Sequence, residues 1–170
     1  MYVAIVGALT PSGQFIAKSL KNSETVKILF TVDEGYEATK PIVGQYRTID
    51  EALRVPHVTS FCIIDVLNDE KTAERAKIYR FYGVSAIVCG LMLNSEDLVS
   101  LEKGYSVRHR TFASVLIEPD LLKFSPEDML AAVRRLLRWL TLNRNSAAFD
   151  KQVYYKVFHT ISTGHGIVPV

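Results

Sequence analysis

Cysteine is scarce in this chain of 170 residues: it occurs twice, at Cys62 and Cys89. Both stand inside apolar runs, SFCIID and AIVCG, where a free thiol behaves as a small buried hydrophobe. No Cys-x-x-C pair and no His/Cys cluster exists, which excludes the common zinc spacings. No apolar run reaches the roughly 18 residues that a membrane helix needs. The N-terminus lacks the basic segment and apolar core of a secretory leader. An excess of one charge is also missing. The 20 Lys and Arg face 18 Asp and Glu, a net charge of +2, so composition points to neither nucleic acid nor an acidic membrane as partner. Internal repeats and low-complexity linkers are absent. These absences leave a cytoplasmic protein in a reducing compartment, with no metal site. What remains is ordinary in amount: 48% hydrophobic and 22% charged residues. That suffices for one domain with a core that needs no staples.

The elements alternate along the chain. Val3–Val6 is an apolar run ending at Gly7 and reads as a buried strand. Thr10 and Pro11 fit an N-cap and first helical position, and Phe15, Ile16 and Leu20 give that helix an apolar side. Lys27–Val32 predicts a second strand, closed by Asp33-Glu34-Gly35. Residues 36–48 read as a loop with a short strand, and Asp50–Leu53 as one helical turn before Pro56. Val58–Ile64 is a third strand, ending at Asp65. Asp69–Tyr82 predicts a helix with one polar side, stopped by Gly83. Ser85–Cys89 is a fourth strand, ending at Gly90. Ser95–Glu102 predicts a short helix and Tyr105–Thr111 a fifth strand. Ser125-Pro126-Glu127-Asp128 combines a cap, a proline at the first position and two acids against the macrodipole. A helix runs from there to about Leu142 and buries Met129, Val133, Leu136 and Leu140. Lys151–Thr160 reads as a last strand and Ser162–Val170 as a flexible tail. Strands alternating with helices predict a single α/β domain over 1–170, built on a doubly wound, mostly parallel sheet.

In such a sheet, ligands bind beyond the carboxyl ends of the strands, where the strand order reverses. The first strand-to-helix turn reads Gly7-Ala8-Leu9-Thr10-Pro11-Ser12-Gly13. Gly7 allows a tight turn, and Gly13 lets the helix pack closely on the sheet. The N–H groups around Ser12 and Gly13 favour an anion. The middle glycine that lets a pyrophosphate approach is replaced around Leu9-Thr10. Asp33, at the end of the second strand, is placed to bind the adenine ribose hydroxyls, or else serves with Glu34 as a turn residue.

The order of these segments resembles the N-terminal, Rossmann-like domain of the dihydrodipicolinate reductase family. The residues that carry the resemblance start with YVAIVGALTPSGQFIAKSL and continue with Thr48–Leu53. Phe61–Asp65, Tyr82–Gly90 and Ser95–Leu98 follow. The likeness covers residues 1–115. It implies NAD(P)H as cofactor, with Gly7, Thr10, Pro11, Ser12, Gly13, Asp33, Asp65 and Gly90 along its path. The chain also departs from the family. Gly90-Leu91-Met92-Leu93 stands where a Gly-Thr-Thr-Gly turn covers the nicotinamide, and Val66-Leu67 replaces a Phe-Thr turn. The paired histidines and the Lys-x-Asp-Ala-Pro-Ser-Gly-Thr motif of the substrate domain are absent. Thr111–Ser114 faintly resembles the start of that domain, and AAVRRLLRWL, Ala131–Leu140, the family's C-terminal helix. The resemblance therefore implies that the substrate domain has been deleted and its flanks, up to the helix at 125–142, joined.

Other candidates for chemistry are few. His57 is expected in a surface loop. Arg108, His109 and Arg110 form either an anion-binding cluster or a charged edge strand. His165 belongs to the expected tail of 160–170, and Arg134, Arg135 and Arg138 form a solvated basic face. No catalytic residue is assigned. Two readings stand. The first is a non-catalytic nucleotide-binding or regulatory protein taking a nucleotide or other small molecule. The second is an NAD(P)-dependent oxidoreductase, related to lysine and diaminopimelate biosynthesis, that completes its site by oligomerisation. A homodimer fits either, through apolar surface near Tyr154, Tyr155 and Phe158.

Overall fold

The computed structural model describes residues 1–37, 44–57, 60–89, 112–116, 126–143, 155–160 and 167–169. Its strands are β1 (Tyr2–Val6), β2 (Lys27–Val32), β3 (Gln45–Tyr46), β4 (Phe61–Asp65), β5 (Ser85–Cys89), β6 (Phe112–Leu116), β7 (Tyr155–Thr160) and β8 (Ile167–Pro169). Its described helices are α1 (Pro11–Lys21), α2 (Ile49–Arg54), α3 (Thr72–Phe81) and α4 (Pro126–Asn143). The sheet runs β3-β2-β1-β4-β5-β6-β7-β8. Every pair from β3 to β7 is parallel, and β8 joins β7 antiparallel. The chain moves outward from β1 to β3, then returns to pair β4 with β1 and moves the other way. This is a Rossmann-type fold, and its strand order reverses between β1 and β4.

The pleat explains why the strands read as unbroken apolar runs. Val3 and Ile5 of β1 pack with Ile16 and Leu20 of α1 and with Met129, Val133 and Leu136 of α4. The alternate residues Ala4 and Val6 pack on the opposite face, with Phe30, Ile49, Ala52, Ala76 and Tyr79. A parallel sheet covered on both faces has no side on which a polar residue is cheap. Local signals set the helix starts. Thr10 caps α1 by accepting from Gly13 N–H, with proline at the first position. Thr48 and Glu51 cap each other's backbone at α2.

Some expectations shift. The fifth strand is expected at Tyr105–Thr111, which lies outside the described residues, whereas β6 occupies Phe112–Leu116. The run FASVL suits a central parallel strand better than the charged alternation before it. The sequence reads 160–170 as a flexible tail, yet Ile167–Pro169 pairs with Phe158–Thr160 as β8. Sheet hydrogen bonds supply the order that composition does not announce. The expected helix Ser95–Glu102 lies outside the described residues, as does Tyr154. Helix α3 begins at Thr72 rather than Asp69 because Asp69 is spent on the turn before it, where its Oδ1 accepts from Lys71 N–H at 3.0 Å.

Candidate functional site

The loop after β1 lies at the carboxyl edge of the sheet, where the strand order reverses. Gly7 leaves the strand with φ +83°, a conformation that favours glycine. Its N–H donates to Val32 O at 2.9 Å, tying the loop to the end of β2. Its carbonyl accepts from Thr10 N–H at 3.1 Å and from Thr10 Oγ1 at 2.7 Å. Thr10 Oγ1 in turn accepts from Gly13 N–H at 3.0 Å. A Cβ on Gly13 would lie 2.0 Å from Gly7 O and 2.9 Å from Ala8 Cα. The first turn of α1 therefore rests directly on the loop's backbone, and no side chain fits between. A Cβ on Gly7 would lie 2.9 Å from Cγ of Leu67, from the loop after β4. The space that each glycine leaves is thus filled by the protein itself.

Most N–H groups of the loop are already used. Leu9 N–H donates to Asp33 Oδ2 at 2.8 Å. Pro11 has no N–H. Among the described residues, Ser12 alone in the loop keeps both its N–H and its Oγ without a protein partner. Asp33, half-exposed just beyond β2, also accepts from Gly35 N–H through Oδ1 at 2.9 Å. Its backbone N–H bonds Tyr46 O at 3.0 Å. Asp33 is therefore a turn residue whose carboxylate is also joined to the glycine loop. Leu9, 43% exposed, reaches across the same turn, with Cδ1 2.9 Å from where a Gly35 Cβ would stand. Arg47 closes the far side by donating to Glu34 O at 3.4 Å.

Asp65 departs from its expected place along a cofactor. It is fully buried at the end of β4. Its Oδ2 accepts from Arg75 Nε at 2.7 Å and from Tyr79 OH at 2.7 Å. Its Oδ1 accepts from Arg75 Nη2 at 3.2 Å and from Leu67 N–H at 3.0 Å. With four donors and no exposed surface, this carboxylate is an internal anchor and offers a ligand nothing. Arg75 also donates through Nη1 to Asp69 at 2.7 Å, so one guanidinium holds both ends of the loop between β4 and α3. Within that loop Asn68 takes φ +47°. Burial pushes the Asp69 carboxyl up, but the hydrogen bond and charge of Arg75 outweigh it and hold it below the usual carboxylate range. Tyr79 is driven well above a normal phenol by burial and by Asp65.

Sequence reasoning missed Arg75, Tyr79 and Leu67. A signal existed: Thr72, Arg75 and Tyr79 recur on one helix face together with the small Ala76, and all four are buried. That spacing marks a polar stripe aimed inward. His57, expected at the surface, is half-buried. Its Nε2 lies 2.8 Å from Ala52 O and its ring stacks on Phe30 at 4.9 Å. Cys62 and Cys89 are buried as expected, and burial pushes the Cys62 thiol up to about 12. Neither is a nucleophile at neutral pH. Arg134, Arg135 and Arg138 are exposed on α4. Gly90, Arg108, His109, Arg110 and His165 lie outside the described residues. Among the described residues no group of three His, Cys, Asp or Glu side chains could hold a metal ion, and no helix is long and apolar enough to cross a membrane.

No family model and no curated protein sequence matches the chain. Solved structures do. GenD2 from gentamicin A biosynthesis, solved with NAD, is 20% identical with a TM-score of 0.54, over 67% of this chain and 34% of that one. Dihydrodipicolinate reductase from Paenisporosarcina sp. TG-14, solved with dipicolinate, is 14% identical with a TM-score of 0.56, over 68% and 46%. The myo-inositol 2-dehydrogenase from Lactobacillus plantarum is 12% identical with a TM-score of 0.53, over 83% and 42%. The chain spans about a third to a half of the length of these structures. Likeness at this level shows the shared Rossmann-type fold alone. It does not single out the dihydrodipicolinate reductase family, since the TM-scores of the three structures lie between 0.53 and 0.56.

Proposed function

We propose that the chain is a nucleotide-binding Rossmann module, without a catalytic role of its own, that takes the adenosine end of a ligand such as NADH or NADPH. The observation that carries this is Asp33. Its carboxylate stands at the carboxyl end of β2 and is hydrogen-bonded to the glycine loop through Leu9 N–H. Each oxygen keeps a lone pair for a ribose hydroxyl. The unused N–H and Oγ of Ser12 lie in the same loop, at the positive end of α1. Together they offer a ribose acceptor and a phosphate donor at the switch point, along the path of Gly7, Thr10, Pro11 and Gly13. Gly90 belongs to the proposal on sequence grounds.

The non-catalytic reading rests on what hydride transfer requires: a positioned nicotinamide and a substrate pocket. The described residues provide no activated acid, base or nucleophile beside the loop. Solved structures of the same fold include a dihydrodipicolinate reductase, and this sequence carries none of the substrate-domain motifs of that family. Two buried free thiols suit a reducing cytoplasm, and a homodimer would cover the free edge of the sheet. Calorimetric titration of the purified chain with NADH and NADPH tests the binding. A saturable signal supports it, and a flat titration with both removes it. Turnover of dihydrodipicolinate above about 1 s⁻¹, the low end of ordinary enzymes, would overturn the non-catalytic reading.

A further inference from the structure

A dinucleotide crosses a Rossmann sheet at the reversal of strand order, one half on each side. Here the adenosine side is the β1–β2–β3 side, where Asp33 stands. The other half must pass over the junction of β1 and β4. Leu67 occupies that junction. Its side chain lies so close to Gly7 that a Cβ there would be 2.9 Å from Cγ and 3.0 Å from Cδ2, and 3.2 Å from the Leu67 backbone nitrogen. The residue is partly buried and packs against the core beside β4. Its backbone is held as well. Leu67 N–H donates to Asp65 Oδ1, the same oxygen that accepts from Arg75 Nη2. Arg75 is itself locked by Asp69 and by Thr72.

Resting on the nucleotide site proposed above, we infer that Leu67 is a specificity-determining residue: it denies a dinucleotide its passage from β1 to β4 and restricts the site to one nucleoside monophosphate half. Arg75 is its positioning residue. Three further observations agree. The segment around Leu9-Thr10 replaces the glycine that would admit a pyrophosphate, and Leu9 lies across Gly35. The amides that would hold a second phosphate are spent, Leu9 N–H on Asp33 and Gly13 N–H on Thr10. Beyond β5 the sequence lacks the threonines that would face a nicotinamide. The ligand class is therefore an adenosine monophosphate, free or as the end of a larger molecule whose remainder stays in solvent.

Calorimetric titration of the full chain with AMP and with NADH tests this. In the wild type the two dissociation constants should agree within about threefold, since the second half adds no contacts. In Leu67→Ala, NADH should gain about tenfold while AMP stays within about twofold. Wild-type NADH bound more than about thirtyfold tighter than AMP overturns the inference, and so does an unchanged ratio in a folded Leu67→Ala. A second measurement needs no variant. Saturation-transfer NMR on the wild type with NAD⁺ should label the adenine protons and leave the nicotinamide protons dark. Equal labelling of both rings overturns the inference but leaves the nucleotide site intact. Absence of binding by both AMP and NADH removes the site itself.

Discussion

Gly13→Ala is the sharpest perturbation of the loop. A methyl group at this position would sit 2.0 Å from Gly7 O, 2.8 Å from Gly7 C and 2.9 Å from Ala8 Cα. All three are backbone atoms, so no side-chain rotation relieves the clash. An ordinary carbon–oxygen contact needs over 3 Å, so the start of α1 must retreat by roughly 1 Å or more. That retreat strains the bond from Gly13 N–H to Thr10 Oγ1, a cap of about 1 kcal/mol, and lifts buried Ile16 off the sheet. Overpacking adds about 1–3 kcal/mol, at the upper end because the obstacle is rigid. The sum is about 3–4 kcal/mol. For a domain of this size each kcal/mol moves Tm by about 2–4 °C, so Tm should fall by about 6–16 °C. Gly83→Ala is the control. Gly83 has a positive φ, +66°, which Gly13 does not, and nothing lies within 4 Å of its absent Cβ. It should cost the left-handed penalty of about 1–2 kcal/mol and no more. Calorimetry of both variants decides the matter. A Gly13→Ala protein melting within about 1 kcal/mol of wild type refutes the claim that α1 rests on the Gly7 carbonyl.

Three further outcomes are expected. Asp33→Ala should weaken AMP binding by about 1–2 kcal/mol, the scale for bonds to a charged acceptor; equal affinities by calorimetry return Asp33 to a plain turn residue. Arg75→Ala should lose about 3–5 kcal/mol in urea denaturation, because it strands the buried Asp65 charge. The double variant Asp65→Ala/Arg75→Ala should lose less than the two singles added together, and strict additivity argues against the network. Burial raises the Cys62 thiol from 9.0 to about 12. The folded chain therefore keeps a proton that the unfolded chain releases above pH 9. Stability is full below that point and declines as pH climbs toward 12, by up to about 1.4 kcal/mol per unit for one thiol. Urea midpoints between pH 8 and 10.5 should fall more steeply in wild type than in Cys62→Ala, and parallel lines contradict the assignment.

Much of the fold was legible because both sheet faces are buried. Lys27–Val32 and Ser85–Cys89 are found where their apolar runs lie, and Thr10-Pro11 marks the start of α1 as capping chemistry requires. The roles of Gly7 and Gly13 were also readable, since a tight turn and a close helix contact are local demands. The site was less so. Asp33 and Asp65 look alike in sequence, each an acid at the end of a strand. Only the fold returns Arg75 and Tyr79 to one of them and leaves the other half-exposed. Leu67 was read merely as a departure from a family pattern. Its meaning comes from a neighbour, Gly7, that is distant in sequence and adjacent across β1 and β4. β8 escaped notice because a three-residue edge strand carries too few residues to show a period.

The central claim is that the glycine loop and Asp33 form a nucleotide site. Amide chemical-shift mapping of the ¹⁵N-labelled chain, titrated with AMP, tests it most directly. The account predicts saturable shifts concentrated at Leu9, Ser12, Gly13, Asp33 and Gly35. Shifts absent up to about 10 mM, where binding is worth less than about 3 kcal/mol, or concentrated instead on the exposed arginines of α4, would contradict it.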